Sequence, residues 1–178
     1  MSSLTQHIYS PNLLSICVDA KSDHDFSGKI WDLYHEEPYL FDRAMEMILH
    51  ADDFFDEISF PQRANQFRTF SRSETLPRER RPAVHKDKIR DMDNLEEKKG
   101  NLGTFIVQVK YRQNSTWQGQ VIWAEEEKKV YFRSALELLR LIDDATMQKQ
   151  KEESEETPAE WEKQTGDGNS PDAASAAQ

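Results

Sequence analysis

Residues 105–144 read FIVQVKYRQNSTWQGQVIWAEEEKKVYFRSALELLRLIDD, and residues 14–53 read LSICVDAKSDHDFSGKIWDLYHEEPYLFDRAMEMILHADD. The two stretches align without a gap at an offset of 91 residues, and most of their apolar positions coincide. Identical pairs include Gly28 and Gly119, Phe41 and Phe132, Ala44 and Ala135, Glu46 and Glu137, and Asp52-Asp53 and Asp143-Asp144. Self-similarity at a fixed offset predicts two copies of one small structural unit.

The later stretch has the clearer pattern of strands. Apolar and polar residues alternate over 105–111, which is typical of a strand with one buried face. Polar residues at 113–115 and 125–129 predict turns, and they separate two further apolar segments at 117–123 and 130–132. We therefore predict three consecutive strands in this part of the chain.

A helix is predicted directly after these strands. Ser134 and Glu137 form the S-x-x-E pattern, in which both side chains satisfy free backbone amides at a helix start. Apolar residues then recur at three- and four-residue spacing, which marks one buried helical face. The earlier stretch repeats this order, with strands at 14–18, 28–34 and 39–41 and a helix from Ala44.

The predicted fold class is α+β, with two tandem βββα units that are related by internal duplication and share one core. A unit of about 45 residues is too small to bury an independent core, so the two units must pack together. We predict a first unit over 12–60, a basic Pro/Arg-rich connector over 61–101, a second unit over 102–150 and a disordered acidic tail over 151–178.

Charge is distributed unevenly along the chain. The formal net charge is −10, and residues 1–62 alone carry 3 basic and 12 acidic side chains. Residues 63–101 carry 11 basic and 7 acidic side chains, so the predicted connector is positive. The overall charge opposes non-specific binding of nucleic acid, and the connector is the exception.

We expect a cytoplasmic protein without a membrane partner. No apolar run approaches the roughly 20 residues that a membrane-spanning helix needs. Cys17 is the single cysteine, which excludes an internal disulfide and fits a reducing compartment.

The side chains that carry most enzyme chemistry are scattered in this sequence. The histidines lack the short spacings that bring metal ligands together, and no motif places an acid or a histidine beside Cys17. The repeated pairs Asp52-Asp53 and Asp143-Asp144 cannot share a proton, because neighbours on a helix point about 100° apart. We therefore expect no enzyme activity, no metal site and no cofactor.

One alternative function is DNA binding by the second unit. Trp117-Gln118-Gly119 on a middle strand and Phe132 to Glu137 at a helix start resemble the AP2-type DNA-binding domain. In that family the sheet carries arginines and tryptophans into the major groove, so the resemblance implies a DNA-binding regulator whose outward side chains contact phosphates and base edges. The candidate residues are Gln108, Lys110, Arg112, Gln118 and Gln120.

A second resemblance rests on short motifs along the whole chain: Cys17-Val18-Asp19, Phe26-Ser27-Gly28, Phe60-Pro61-Gln62, Tyr111-Arg112-Gln113-Asn114, Trp117-Gln118-Gly119 and the run from Phe132 to Leu138. With them the whole chain resembles a family of small uncharacterised bacterial proteins, some of which are carried on mobile elements. The resemblance implies that the two-unit layout recurs in that family. Small acidic proteins of such elements include anti-CRISPR inhibitors, which use carboxylates to occupy a basic nucleic-acid channel.

The function that we expect is non-catalytic binding. The sharpest form is inhibition of a bacterial nucleic-acid-handling protein or ribonucleoprotein, of the anti-CRISPR or anti-defence type. Acids of the first unit would enter a basic groove of the partner by charge complementarity. The candidate acids are Asp19, Asp23, Asp25, Glu36 and Glu37, and the connector adds Arg78, Arg80 and Arg81 as candidates for contact with nucleic acid or an acidic surface. The sequence leaves the oligomeric state open.

Overall fold

A computed structural model of the chain describes residues 10–23, 25–65, 68, 70, 95 and 97–155. Within these residues, six strands form one antiparallel sheet and two helices pack on one of its faces. The strands are β1 (Leu13–Lys21), β2 (Phe26–Trp31), β3 (Tyr39–Phe41), β4 (Gly103–Tyr111), β5 (Gln118–Trp123) and β6 (Lys128–Phe132), and the helices are α1 (Ala44–Glu57) and α2 (Ala135–Glu155). The predicted α+β class is confirmed.

The sheet has the strand order β3-β2-β1-β4-β5-β6. Three strands and a helix precede the predicted connector, and three strands and a helix follow it. The two groups of strands join at the centre, where β1 pairs with β4 from Leu13 opposite Gln108 to Val18 opposite Gly103. The short strands β3 and β6 are therefore the two edges of one continuous sheet.

Both central strands are bulged at the same relative place. The pairing of β1 shifts between Val18 and Ala20, and that of β4 shifts between Val109 and Tyr111. A bulge inserts one residue, so the alternation of side chains between the two faces of the sheet breaks there. Residues beyond each bulge consequently face the opposite side from the one that simple alternation predicts.

Gly28 and Gly119 lie where two strands approach most closely. A Cβ on Gly28 would overlap the carbonyl oxygen of Cys17, and a Cβ on Gly119 would overlap that of Gln108. Neither glycine has a positive φ angle, so the constraint is space and not backbone conformation. Both glycines therefore allow a close approach of neighbouring strands that a side chain would block.

One hydrophobic core joins the two helices to the sheet. Met47, Phe55, Leu138 and Ile142 are fully buried on the helices. Phe55 of α1 packs edge-on against Trp117 before β5, with 5.5 Å between ring centroids. Strand residues of this core come from before and after the connector: Leu14, Ile16, Val18, Phe26, Ile30, Phe41, Phe105, Val107, Val109, Val121 and Phe132. The predicted sharing of one core is therefore observed.

Two predicted boundaries are wrong. The second strand ends at Trp31 and not at Tyr34, because the Asp32 carboxylate accepts hydrogen bonds from the amides of Tyr34 and His35 and closes a turn. Helix α2 continues to Glu155, several residues into the predicted tail. The rest of that tail, residues 156–178, lies outside the described residues.

The ends of the predicted connector belong to the fold. Pro61 is buried, and the amide of Ala64 donates to the carbonyl of Arg112 at the end of β4. At the other end, Leu95 packs in a small second cluster with Leu13 and Leu33 on the face of the sheet opposite α1 and α2. The flexible connector predicted over 61–101 is thus wrong at both of its ends.

Candidate functional site

An ion-pair network occupies the junction between α1 and the end of β4. Arg112 follows β4 and is only 3% exposed. Its guanidinium donates to Asp52 Oδ1 at 2.6 Å and to Asp56 Oδ1 at 2.7 Å. Because the bulge in β4 breaks the alternation, this side chain points to the helix side of the sheet.

Two further side chains complete the network. Arg63 donates to the second oxygens of Asp52 and Asp56 at 2.5 Å and 2.8 Å, and the indole of Trp117 donates to Asp52 Oδ1 at 3.1 Å. In these described contacts, two guanidinium groups pair with two carboxylates. Such a cluster orders the parts that it joins, here α1, the segment after it and β4.

A second ion pair joins the other helix to the other central strand. Lys21 at the end of β1 contacts Asp143 Oδ1 of α2 at 2.6 Å and donates to the Asp143 carbonyl at 2.9 Å. The Lys21 side chain is 7% exposed, but the Asp143 side chain is 53% exposed. This pair is therefore screened by water far more than the pairs of Arg112.

A cleft of about 390 Å³ lies beside the network, between the segment after α1 and the end of β4. Phe60 and Tyr111 are its exposed aromatic residues, at 45% and 58% exposure. Among the described residues that line it, none carries a carboxylate: Ser59, Phe60, Pro61, Gln62, Ala64, Lys110, Tyr111, Arg112 and Gln113. The cleft is thus an aromatic site with a lysine in an otherwise acidic protein.

Lys110 connects this cleft to the edge strand β6. Its ammonium lies 5.3 Å from the ring centre of Tyr131, and the ammonium of Lys129 lies 5.5 Å from the same ring. Tyr131 is 63% exposed. We call Phe60, Lys110, Tyr111, Lys129 and Tyr131 together the aromatic-lysine surface.

The predicted acidic residues have different surroundings. Asp25 caps α1, because its Oδ1 accepts from the amide of Ala44 at 2.7 Å. Asp19 pairs with Lys29 at 3.0 Å and accepts from the amide of Asn101. Asp23, Glu36 and Glu37 are exposed.

The fold also separates these acids. Asp23 lies in the β1–β2 connection, whereas Glu36 and Glu37 lie in the β2–β3 connection at the other end of β2. The six residues of β2 span about 17 Å, so the two groups do not form one patch. The structure brings together Asp19, Asp23 and Asp25 at one end and Glu36 and Glu37 at the other.

The residues predicted to face DNA divide in a similar way. Arg112 and Gln120 are each 3% exposed, so the prediction that they face outward is wrong. Gln120 donates to Gln108 at 3.0 Å, and Gln118 bridges the carbonyls of Gln113 and Arg133 at the β4–β5 turn. Among the residues predicted to face DNA, Lys110 is exposed, whereas Gln108 and Gln118 are partly buried. Arg78, Arg80 and Arg81 lie outside the described residues.

Burial changes the pKa of two side chains, Cys17 and His50. Burial raises the pKa of the Cys17 thiol, which keeps this group protonated and unreactive near neutral pH. Burial lowers the pKa of His50, whose ring stacks on Tyr39 at 3.5 Å between centroids. His35 Nδ1 contacts the Asp32 carboxylate at 2.9 Å, in the turn that ends β2.

The described residues contain neither a metal-ligand cluster nor a membrane-spanning helix. Among them, no three His, Cys, Asp or Glu side chains are grouped in a way that would hold a metal ion. None of the described helices is both long and apolar enough to span a bilayer.

Sequence reasoning missed Phe60, Tyr111 and Tyr131 as site residues. Tyr111 and Tyr131 are apolar positions in predicted strands, so periodicity assigns them to the core, and Phe60 is the last residue of the predicted first unit. The offset of 91 offered a signal, because Tyr131 corresponds to Leu40 on the other edge strand and Lys110 corresponds to Asp19. These matched positions differ in chemistry although they have the same place in the pattern.

Comparisons with family models, with curated proteins and with solved structures find no match to this chain.

Proposed function

We propose that this chain is a non-catalytic binding protein that inhibits a bacterial nucleic-acid-handling protein or ribonucleoprotein. One observation carries the proposal. In the first half of the sheet, the lysines and the arginine form ion pairs, and several carboxylates are exposed at the surface. Lys21, Lys29 and Arg43 are the only cations of residues 1–62, and each contacts a carboxylate. The exposed acids of the same half are Asp23, Glu36, Glu37, Asp42, Asp53 and Asp56, of which Asp56 pairs with Arg63 and Arg112.

This charge distribution favours a basic partner. Carboxylates exposed at a surface create a negative potential that steers association with a positive groove. Proteins that handle nucleic acid present such grooves because they bind phosphates. Asp19 and Asp25 are partly buried, whereas Asp23, Glu36 and Glu37 are exposed, so these three are the members of the predicted set that best fit partner binding.

We also propose that the two halves arose by internal duplication. Contacts related by the offset of 91 support this idea. Asp25 and Thr116 accept from the first amides of α1 and α2, and Glu46 and Glu137 accept from the amides of Asp42 and Arg133. The pairs Lys21–Asp143 and Arg112–Asp52 are related by the same offset, each joining a strand of one half to the helix of the other.

The function is tested in two steps. Affinity capture from the native host, with nuclease present, first isolates a protein partner. Binding to the purified partner is then compared for the wild-type chain, an Asp23→Asn, Glu36→Gln, Glu37→Gln variant, and a matched control that neutralises three exposed acids of the other half, Glu126→Gln, Glu127→Gln and Asp144→Asn.

We expect the first variant to bind at least ten-fold more weakly at low salt, mainly through slower association, and the control to bind like the wild type. The difference should shrink as salt rises, because exposed charges are screened. The wild-type chain should also inhibit the partner's activity on nucleic acid. Equal affinities for both variants, or loss of all capture after nuclease treatment, would contradict the proposal.

A further inference from the structure

The aromatic-lysine surface has the chemistry of a nucleic-acid site, and it lies away from the acids of the proposed function. Three exposed aromatic side chains, Phe60, Tyr111 and Tyr131, lie on or next to the second half of the sheet. Lys110 and Lys129 flank the ring of Tyr131. Both lysines are exposed, so their ammonium groups remain accessible to a ligand.

The matched positions of the first half lack this chemistry. Leu40 takes the place of Tyr131, since Leu40 pairs with Lys29 and Tyr131 pairs with Gln120 at equivalent register. Asp19 takes the place of Lys110, and it is already paired with Lys29. The fold therefore accommodates different side chains at these matched places in the two halves.

We propose that the aromatic-lysine surface binds single-stranded nucleic acid, with Tyr131 and Tyr111 stacking on bases and Lys110 and Lys129 contacting phosphates. Aromatic stacking combined with cationic side chains is the usual mode of sequence-tolerant single-strand binding. The cleft supports this occupant, because its described lining has lysine and aromatic side chains and no carboxylate to repel phosphate.

Duplex DNA fits this surface less well. Base-edge reading in a groove needs extended polar side chains such as arginine and glutamine. Here Arg112 is held by Asp52 and Asp56, and Gln120 is buried against Gln108. Tyrosine rings can stack only on bases that are not already stacked in a duplex.

The probe is a fluorescently labelled oligo(dT) of about 15 nucleotides, a length that covers one typical single-strand site. Its anisotropy is titrated with the full chain between about 50 mM and about 200 mM salt. The variants are Tyr131→Ala, the conservative Tyr131→Phe, the double variant Lys110→Gln with Lys129→Gln, and the matched control Leu40→Ala. A duplex of the same length and an acidic tyrosine-containing peptide are titrated in parallel.

We expect salt-dependent binding of the single strand by the wild-type chain. Tyr131→Ala should weaken it by roughly 5- to 150-fold, the usual loss for one stacked base, whereas Tyr131→Phe and Leu40→Ala should bind like the wild type. The lysine double variant should lower the salt slope by roughly 1.4, about 0.7 for each lost phosphate contact. The acid-to-amide variant of the proposed function should bind the oligonucleotide at least as tightly as the wild type.

Four results would overturn the inference. They are no binding of oligo(dT) at the lower salt concentration, equal losses for Tyr131→Ala and Leu40→Ala, tighter binding of the duplex than of the single strand, and binding of the acidic peptide without binding of the oligonucleotide. None of them decides whether the acidic half binds a basic protein, so the two proposals fail separately.

Discussion

Replacing Arg112 by methionine should destabilise the protein far more than replacing Lys21 by methionine. Methionine keeps an unbranched apolar stem beside Phe55 but removes the charge. Removing one partner of a buried ion pair typically costs about 3–5 kcal/mol, because the remaining charge stays buried. Arg63 still contacts both carboxylates and Asp56 is 35% exposed, so we expect the low end, about 3 kcal/mol. Lys21→Met leaves Asp143 at 53% exposure, so its loss should stay below about 1 kcal/mol.

Urea unfolding followed by far-ultraviolet circular dichroism measures both losses, provided that the two variants and the wild type share one m-value. Adding Asp52→Asn to Arg112→Met should recover part of the lost stability, because it removes the uncompensated charge. High salt should reduce the Lys21→Met effect and leave most of the Arg112→Met effect, since buried pairs are screened less. Equal losses for the two methionine variants, or a neutral Arg112→Met, would show that the buried network does not hold α1 on β4.

Three further predictions concern single positions. Ser59 has a positive φ of 54° directly after α1, where the amides of Ser59 and Phe60 close the helix end, so Ser59→Gly should stabilise the protein by about 0.5–1 kcal/mol in urea unfolding. Gly28→Ala and Gly119→Ala should each lose roughly 1–3 kcal/mol, because the added Cβ overlaps a backbone carbonyl; unchanged unfolding midpoints would refute this. Burial lowers the pKa of His50, so the unfolded chain takes up that proton first as pH falls below about 6.5, and the stability due to the neutral ring is lost on acidification; unfolding at about pH 7 and about pH 5.5 should show a smaller pH effect in His50→Gln than in the wild type.

Strands and helices of this chain were predictable because their signals are local. Alternation over 105–111 and helical spacing after Ser134 each depend on neighbouring residues, and the structure has β4 and α2 at these places. The Ser134–Glu137 pattern also predicted a real cap, with the Ser134 hydroxyl accepting from the amide of Glu137 at 3.0 Å. The pairing of β1 with β4 has no local signal, so the order of the six strands could not be derived in the same way.

The candidate sites failed where the bulges break the alternation. Simple alternation places Lys110 and Arg112 on one face of the sheet, and on that basis both are predicted to face outward. The shift between Val109 and Tyr111 sends Lys110 toward Tyr131 and Arg112 toward Asp52. A bulge depends on backbone packing across strands, and the residue types at 109–111 do not announce it.

The repeated charges acquire a meaning once the strand order is known. Asp52 and Asp143 recur at the offset of 91, and neither can share a proton with its neighbouring aspartate on the helix. Each forms an ion pair with a basic residue at the end of a central strand in the other half of the sheet: Asp52 with Arg112, and Asp143 with Lys21. Positions that agree between the halves thus include glycines, helix caps and ion pairs that build the fold.

Other matched positions differ between the halves in chemistry. Asp19 and Lys110 carry opposite charges at matched places on the two central strands, and Leu40 and Tyr131 differ in the same way on the two edges. The two proposals place binding at these differing positions, with a basic protein partner for the acidic half and a single strand of nucleic acid for the aromatic half.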